Sequence, residues 1–145
     1  MKLKMLQSNV YALRLEVEEE IVSTLEKIML EKQWGFCQIQ GIGAVKNCTL
    51  GYYVLERENY NWVTISEMLE LTSAMGSIAW DAMNPNIPLV HCHITVGNSE
   101  HKPFAGHLKS ADIALTGEFF ITVVSKEKVF RKIIPPHNIK LWDLN

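Results

Sequence analysis

Apolar residues along this chain follow two rhythms, and the change between them comes early. "NVYALRLEV" reads as a short first strand. From Val17 the period lengthens: Val17, Ile21, Val22, Leu25, Ile28 and Met29 recur three and four apart, with Glu18, Glu19, Glu26 and Lys27 between them. That spacing predicts an amphipathic helix with acidic residues in its first turn, where the helix dipole favours them. Its expected end is near Gln33, with Gly35 as the stop.

Beyond Gly35 the pattern is strand and turn. "WGFCQIQGIGAVKN" predicts a strand running into a Gly-x-Gly turn, and "CTLGYYVLE" the next strand. "RENYN" is a polar turn before "WVTI". "MLELTSAMGSIAW" is a longer strand in which Gly76 marks a bulge or a close backbone approach. "DAMNPNIP" is a loop; "LVHCHITV", the loop "GNSEHKPFAGHL" and the strand "ADIALTGEFFITVV" follow. One helix and about seven strands joined by short turns predict an α+β fold, a mostly antiparallel sheet with one main packed helix. A single domain is expected over residues 1–145, with its core at about 10–125 and a C-terminal strand or tail at 126–145.

Composition narrows the function classes. Apolar residues make up 48% and charged residues 21% of 145, which is the balance of a chain with a real core. The net charge of −2 argues against a dedicated nucleic-acid binder, which needs clustered Lys and Arg. The densest positive stretch, "SKEKVFRKIIPPHNIK", is interrupted by Glu127 and reads as a solvated edge strand. Neither a signal peptide nor an apolar run of membrane length is expected. Cys37, Cys48 and Cys92 are odd in number and widely spaced, which suits reduced thiols and a cytoplasmic protein.

"GIGAV" lacks the third glycine and the following helix of a dinucleotide loop, so a tight turn using glycine's freedom at positive φ is the expectation. No nucleophile elbow or P-loop occurs.

The chemistry concentrates in "LVHCHITVGNSEHKPFAGHL", residues 89–108. In a strand, His91 and His93 share one face while Cys92 points to the other, towards the core. Their Cα atoms lie about 6.5–7 Å apart, a separation that suits two ligands of one ion. His107 follows a loop with Gly97, Pro103 and Gly106 that can return it to the same face. Three imidazoles and a water would suit Zn²⁺ or another transition metal. A proton-transfer site and an ordinary polar pocket are the alternatives. Glu118, on the next strand, is the first candidate for an outer-shell acceptor, a fourth ligand or a catalytic base. Asp112 and Glu100 are further candidates, while His101 and His137 read as surface residues.

The order of these motifs, "GIGAVKNCTLGYY", "LELTSAMGSIAW", "HCHITV", "FAGHL" and "TGEFFI", resembles the PPC domain family, shared by plants and prokaryotes. The resemblance runs from about Val10 to Val124. It implies a compact α+β domain, usually a homotrimer; prokaryotic members are mostly stand-alone and described as DNA-binding by analogy with plant proteins. It maps the family's histidines onto His91, His93 and His107, its acidic strand residue onto Glu118, and a frequent basic position onto Arg14. The plant AT-hook core is absent, which argues against direct DNA binding, and Ala105 stands where glycine is usual. The glycine common before the helix is replaced by "EVEEE", and "DAMNPNIP" resembles an insertion.

Three functions follow. The first is a trimeric binding or assembly domain with a His-lined site for a metal or a small molecule. The second is a DNA-associated regulator lacking its own AT-hook, and the third a metal-dependent hydrolytic enzyme using three histidines. A membrane partner is not expected.

Overall fold

The computed structural model describes residues 1–144. Among them one α-helix, α1 (Ile21–Lys32), packs against one nine-stranded sheet. The strands are β1 (Lys2–Gln7), β2 (Val10–Leu15), β3 (Phe36–Val54), β4 (Asn59–Ile65), β5 (Leu69–Asp81), β6 (Pro88–Gly97), β7 (Pro103–Ser125), β8 (Phe130–Ile133) and β9 (Lys140–Asp143). The α+β class holds, but the sheet exceeds seven strands. All its pairings are antiparallel except the short parallel one of β5 with β8.

Two expected strands merge into β3, because Gly41-Ile42-Gly43 is not a turn. The chain stays extended there, with a bulge in its pairing to β5. The missing side chains instead admit β7: a Cβ on Gly41 would meet the Phe119 ring at 2.3 Å, and one on Gly43 the Thr116 carbonyl oxygen at 2.3 Å. Close approach rather than a turn selects these glycines, although Gly43 does take a positive φ of 158°.

The helix also starts later than its apolar period suggested. Glu18 and Glu19 precede it, no acidic residue occupies its first turn, and Glu20 is the N-cap. Its carboxylate accepts from the Val22 and Ser23 amides at 2.9 and 2.7 Å, and from the Ala111 amide on β7 at 3.2 Å. One side chain therefore satisfies helix donors and ties α1 to the sheet. Gln33, in the left-handed region (φ 52°), ends the helix before Gly35 is reached. Glu20→Ala should lower stability by about 1–2 kcal/mol in urea titrations. Glu20→Gln, which keeps one acceptor oxygen, should lose less. An unchanged midpoint for the alanine variant would contradict the capping role.

Pairing places the histidines. β3 bonds β5 along one edge and β7 along the other, while β6 bonds both β5 and β7, so these four strands close a ring. One side of the sheet joins α1 in the core, where Leu25, Ile28, Ile39, Ile78, Trp80 and Ile94 are buried. Residues paired across strands project to the same side. On the other side one row runs Ala12, Phe120, Gln40, Met75, His93, His107, and the next runs Val10, Thr122, Gln38, Ser77, His91. At Gly76 a Cβ would lie 2.2 Å from the His91 carbonyl oxygen, so the expected close backbone approach is real.

All three cysteines are free and buried. Burial pushes Cys37 and Cys92 up to about 12 and Cys48 up to about 11, which makes them inert core residues at neutral pH. No described helix is long and apolar enough to cross a membrane.

Candidate metal centre

β6 and β7 form a hairpin closed by a compact turn at residues 98–102. The Asn98 carboxamide oxygen accepts from the Glu100 and Lys102 amides at 3.1 and 2.9 Å. This turn, shorter than the loop expected, sets the register that puts His107 directly opposite His93. His91 comes from two residues earlier on the same face of β6. Ligand atoms of the three imidazoles all lie within 4.8 Å of one another, and their ring centroids are 5.2–5.6 Å apart.

The surroundings favour neutral rings. Burial holds His91 down at about 4, helped by the positive charge of Arg131 and by His107 and His93. His107 is likewise held at about 4, by burial and then by His93 and Arg131. A neutral imidazole is the form that binds a metal. Behind His107 stand two aromatic residues of β4: Tyr60, whose ring centroid is 4.9 Å away, and Trp62, at 6.0 Å.

These residues fit a transition metal. His107 Nδ1 is buried and has no hydrogen-bond partner, an arrangement that costs stability unless something ligates it. Tetrahedral Zn²⁺ with nitrogens at 2.0–2.1 Å needs donors roughly 3.3 Å apart, so modest rotations of the rings would close the set. The three protein donors would leave a position for water or ligand.

The other sequence candidates lie elsewhere. Glu118 sits on β7 opposite Arg14 on β2 and Ile42 on β3, two residues before Phe120, which the Gln40–Met75–His93 row separates from the histidines by three strand spacings, roughly 14 Å. It lines a separate groove of about 770 Å³ together with Lys2, Lys4 and Arg14. Within one chain it therefore does not act as ligand, outer-shell acceptor or base at the histidines. Asp112 accepts from the Asn47 side chain at 2.9 Å, and Glu100 pairs with Lys102 in the turn. His101 also occupies that turn, exposed, and His137 lies between β8 and β9.

Sequence reasoning missed Arg131. The tail forms strands, with β9 at the sheet edge as expected, but it is not solvated throughout: Arg131 on β8 is only 5% exposed. Its guanidinium donates to Ser77 Oγ at 3.0 Å and to the Lys140 carbonyl at 3.2 Å, and its charge reaches His91 and His107. Nothing in a four-residue strand of mixed polarity signals a buried arginine.

Among solved structures, a protein from Bacteroides thetaiotaomicron proposed to bind DNA is 30% identical, with a TM-score of 0.90 over 98% of this chain and 96% of its own. A plant- and prokaryote-conserved protein from Pyrococcus horikoshii is 27% identical, with a TM-score of 0.85 over 98% of this chain and 93% of its own. A metal-containing protein from Archaeoglobus fulgidus is 28% identical, with a TM-score of 0.85 over 98% of this chain and 99% of its own. No curated protein matches the chain. Residues 4–125 match the profile of the Plants and Prokaryotes Conserved (PCC) domain. With most of the chain matched by the family profile and its fold shared with solved relatives, this protein belongs to the Plants and Prokaryotes Conserved domain family.

Proposed function

We propose that the chain is an assembly domain of the cytoplasm that binds a transition metal, Zn²⁺ first among the candidates, through His91, His93 and His107. The carrying observation is the convergence of three imidazoles within 4.8 Å, one of them with a buried, unpartnered nitrogen. The metal-containing relative from Archaeoglobus supports the reading by analogy. Elemental analysis of untagged protein tests it. About one metal per wild-type chain, lost in His93→Ala, is expected; no uptake by either protein after Zn²⁺ is supplied would sink it.

The same sheet face suits assembly as a homotrimer. Ile42, Met75 and Phe120 are 57%, 59% and 48% exposed around the larger groove, and Met75 also lines the cavity at the histidines. Lys2, Lys4 and Arg14 line that groove with Glu118, a mixed-charge rim that a second copy can complement. Sedimentation should give three times the 16.5 kDa chain mass, and Phe120→Glu should shift the protein towards monomer. A wild-type monomer at high concentration would rule the assembly out.

The two other readings have less to stand on. Lys2, Lys4 and Arg14 share their groove with Glu118, and Arg14 pairs with Glu16 at 2.9 Å, so that groove is not a purely basic face for DNA. Hydrolysis would need a base beside the metal, and no carboxylate lines the histidine cavity.

A further inference from the structure

His91 and His93 open onto a cavity of about 510 Å³ whose other polar walls are Gln38, Ser77 and Arg131. The remaining walls include Phe36, Met75, Val124 and Trp142. Charge is what makes this cavity unusual. Arg131 is 95% buried by its 5% exposure, its Nε has no hydrogen-bond partner, and no carboxylate forms an ion pair with it among the described residues. Burial lowers its pKa, and Asp81, its register partner on β5, pairs with Lys140 instead. A buried guanidinium without a counter-charge is strongly destabilising. Three neutral imidazoles holding a divalent ion would add two further positive charges beside it. Metal and arginine together give the cavity a charge of three, and its walls contain no acid to balance any of it.

We infer that this cavity binds an organic anion, a carboxylate on an apolar or aromatic body. The ligand class rests on the metal reading above for one end of the site and on Arg131 for the other. The carboxylate head lies between the histidine centre and the guanidinium, whose planar fork matches two oxygens. Ser77 holds one guanidinium nitrogen, and the Lys140 carbonyl holds another, so the group is oriented before ligand arrives. The body of the ligand packs on the apolar walls. Phe36 and Trp142 meet edge to face at 5.5 Å, and Arg131 lies under the Trp142 ring, 5.4 Å from its centroid. Inorganic phosphate would satisfy the charge and leave those walls in contact with water, so a carboxylate with a ring is the better match. Arg131 and Trp142 both lie beyond residues 4–125, so this chain's C-terminal strands supply the selective part of the site.

Benzoate is the probe, titrated calorimetrically into Zn²⁺-loaded protein with benzamide and phosphate as comparisons. Benzoate should bind at least tenfold more tightly than either. Arg131→Gln should keep its zinc and lose at least tenfold in benzoate affinity. If that variant does not fold, the benzoate–benzamide comparison on wild-type protein decides the matter without it. Benzamide or phosphate binding as well as benzoate overturns the assignment, as does a folded Arg131→Gln that binds benzoate normally or a wild type that binds none. Benzoate binding that needs Arg131 in a protein taking up no zinc would leave this site standing and remove the metal reading alone.

Discussion

Saturating Zn²⁺ is expected to raise the unfolding midpoint of wild-type protein by roughly 10–15 °C and to leave His93→Ala nearly unmoved. A ligand that binds only the folded state stabilises by about 4 kcal/mol at a thousandfold excess over its Kd. For a domain of this size each kcal/mol is worth a few degrees. Only the folded chain can present a site assembled from two strands, because His91 and His93 meet His107 through the β6–β7 register. His93 is the informative position, since it is exposed and its loss leaves no core cavity. His107→Ala should also abolish the shift, but that variant additionally loses contacts with Tyr60 and Trp62. A thermal scan with and without Zn²⁺ provides the check. Equal shifts in wild type and His93→Ala would mean that the metal binds elsewhere.

Without metal, acid should unfold the protein earlier than its carboxylates alone require. His91 and His107 take up protons near pH 4 in the folded chain and near 6.5 when unfolded. Between those values the unfolded state holds more protons, so lowering the pH favours unfolding. The stabilisation is complete above about pH 6.5, falls through the window between, and has nothing left to lose below about 4. Each half-buried ring contributes at most about 3 kcal/mol, and their mutual influence keeps the pair below twice that. Urea midpoints in chelator should fall between pH 7.5 and 5.5, above the range where carboxylates titrate. His91→Gln should remove much of that slope. A flat profile in wild type would show that the two imidazoles protonate as freely when folded as when unfolded.

The alternation in "LVHCHITV" was sufficient to pair His91 with His93 and to send Cys92 into the core, because a strand exposed on one face writes its orientation into the sequence. From spacing alone His107 was legible as a residue that a loop can return, and the resemblance added it as the third histidine. Its actual place depends on the tight turn at Asn98 and on closure of the β3–β5–β6–β7 ring, which are long-range facts. Glu118 looked close because it lay on the strand expected just after His107; the structure puts both on β7. In the closed ring, however, three strand spacings separate Phe120, beside Glu118, from His93. β1 escaped notice because it buries little: Leu3 alone is half-covered, and the ladder to β2 holds the rest. The Gly-x-Gly segment misled for a different reason. Glycine marks both turns and close approaches, and only the neighbouring Phe119 and Thr116 decide between them.

X-ray absorption at the zinc edge of the loaded, untagged protein tests the three-histidine centre most directly. The geometry predicts a first shell of nitrogen and oxygen at about 2.0–2.1 Å, with imidazole multiple scattering from three rings and no sulfur. A sulfur shell near about 2.3 Å, or scattering from a single imidazole, would contradict it and place the metal elsewhere.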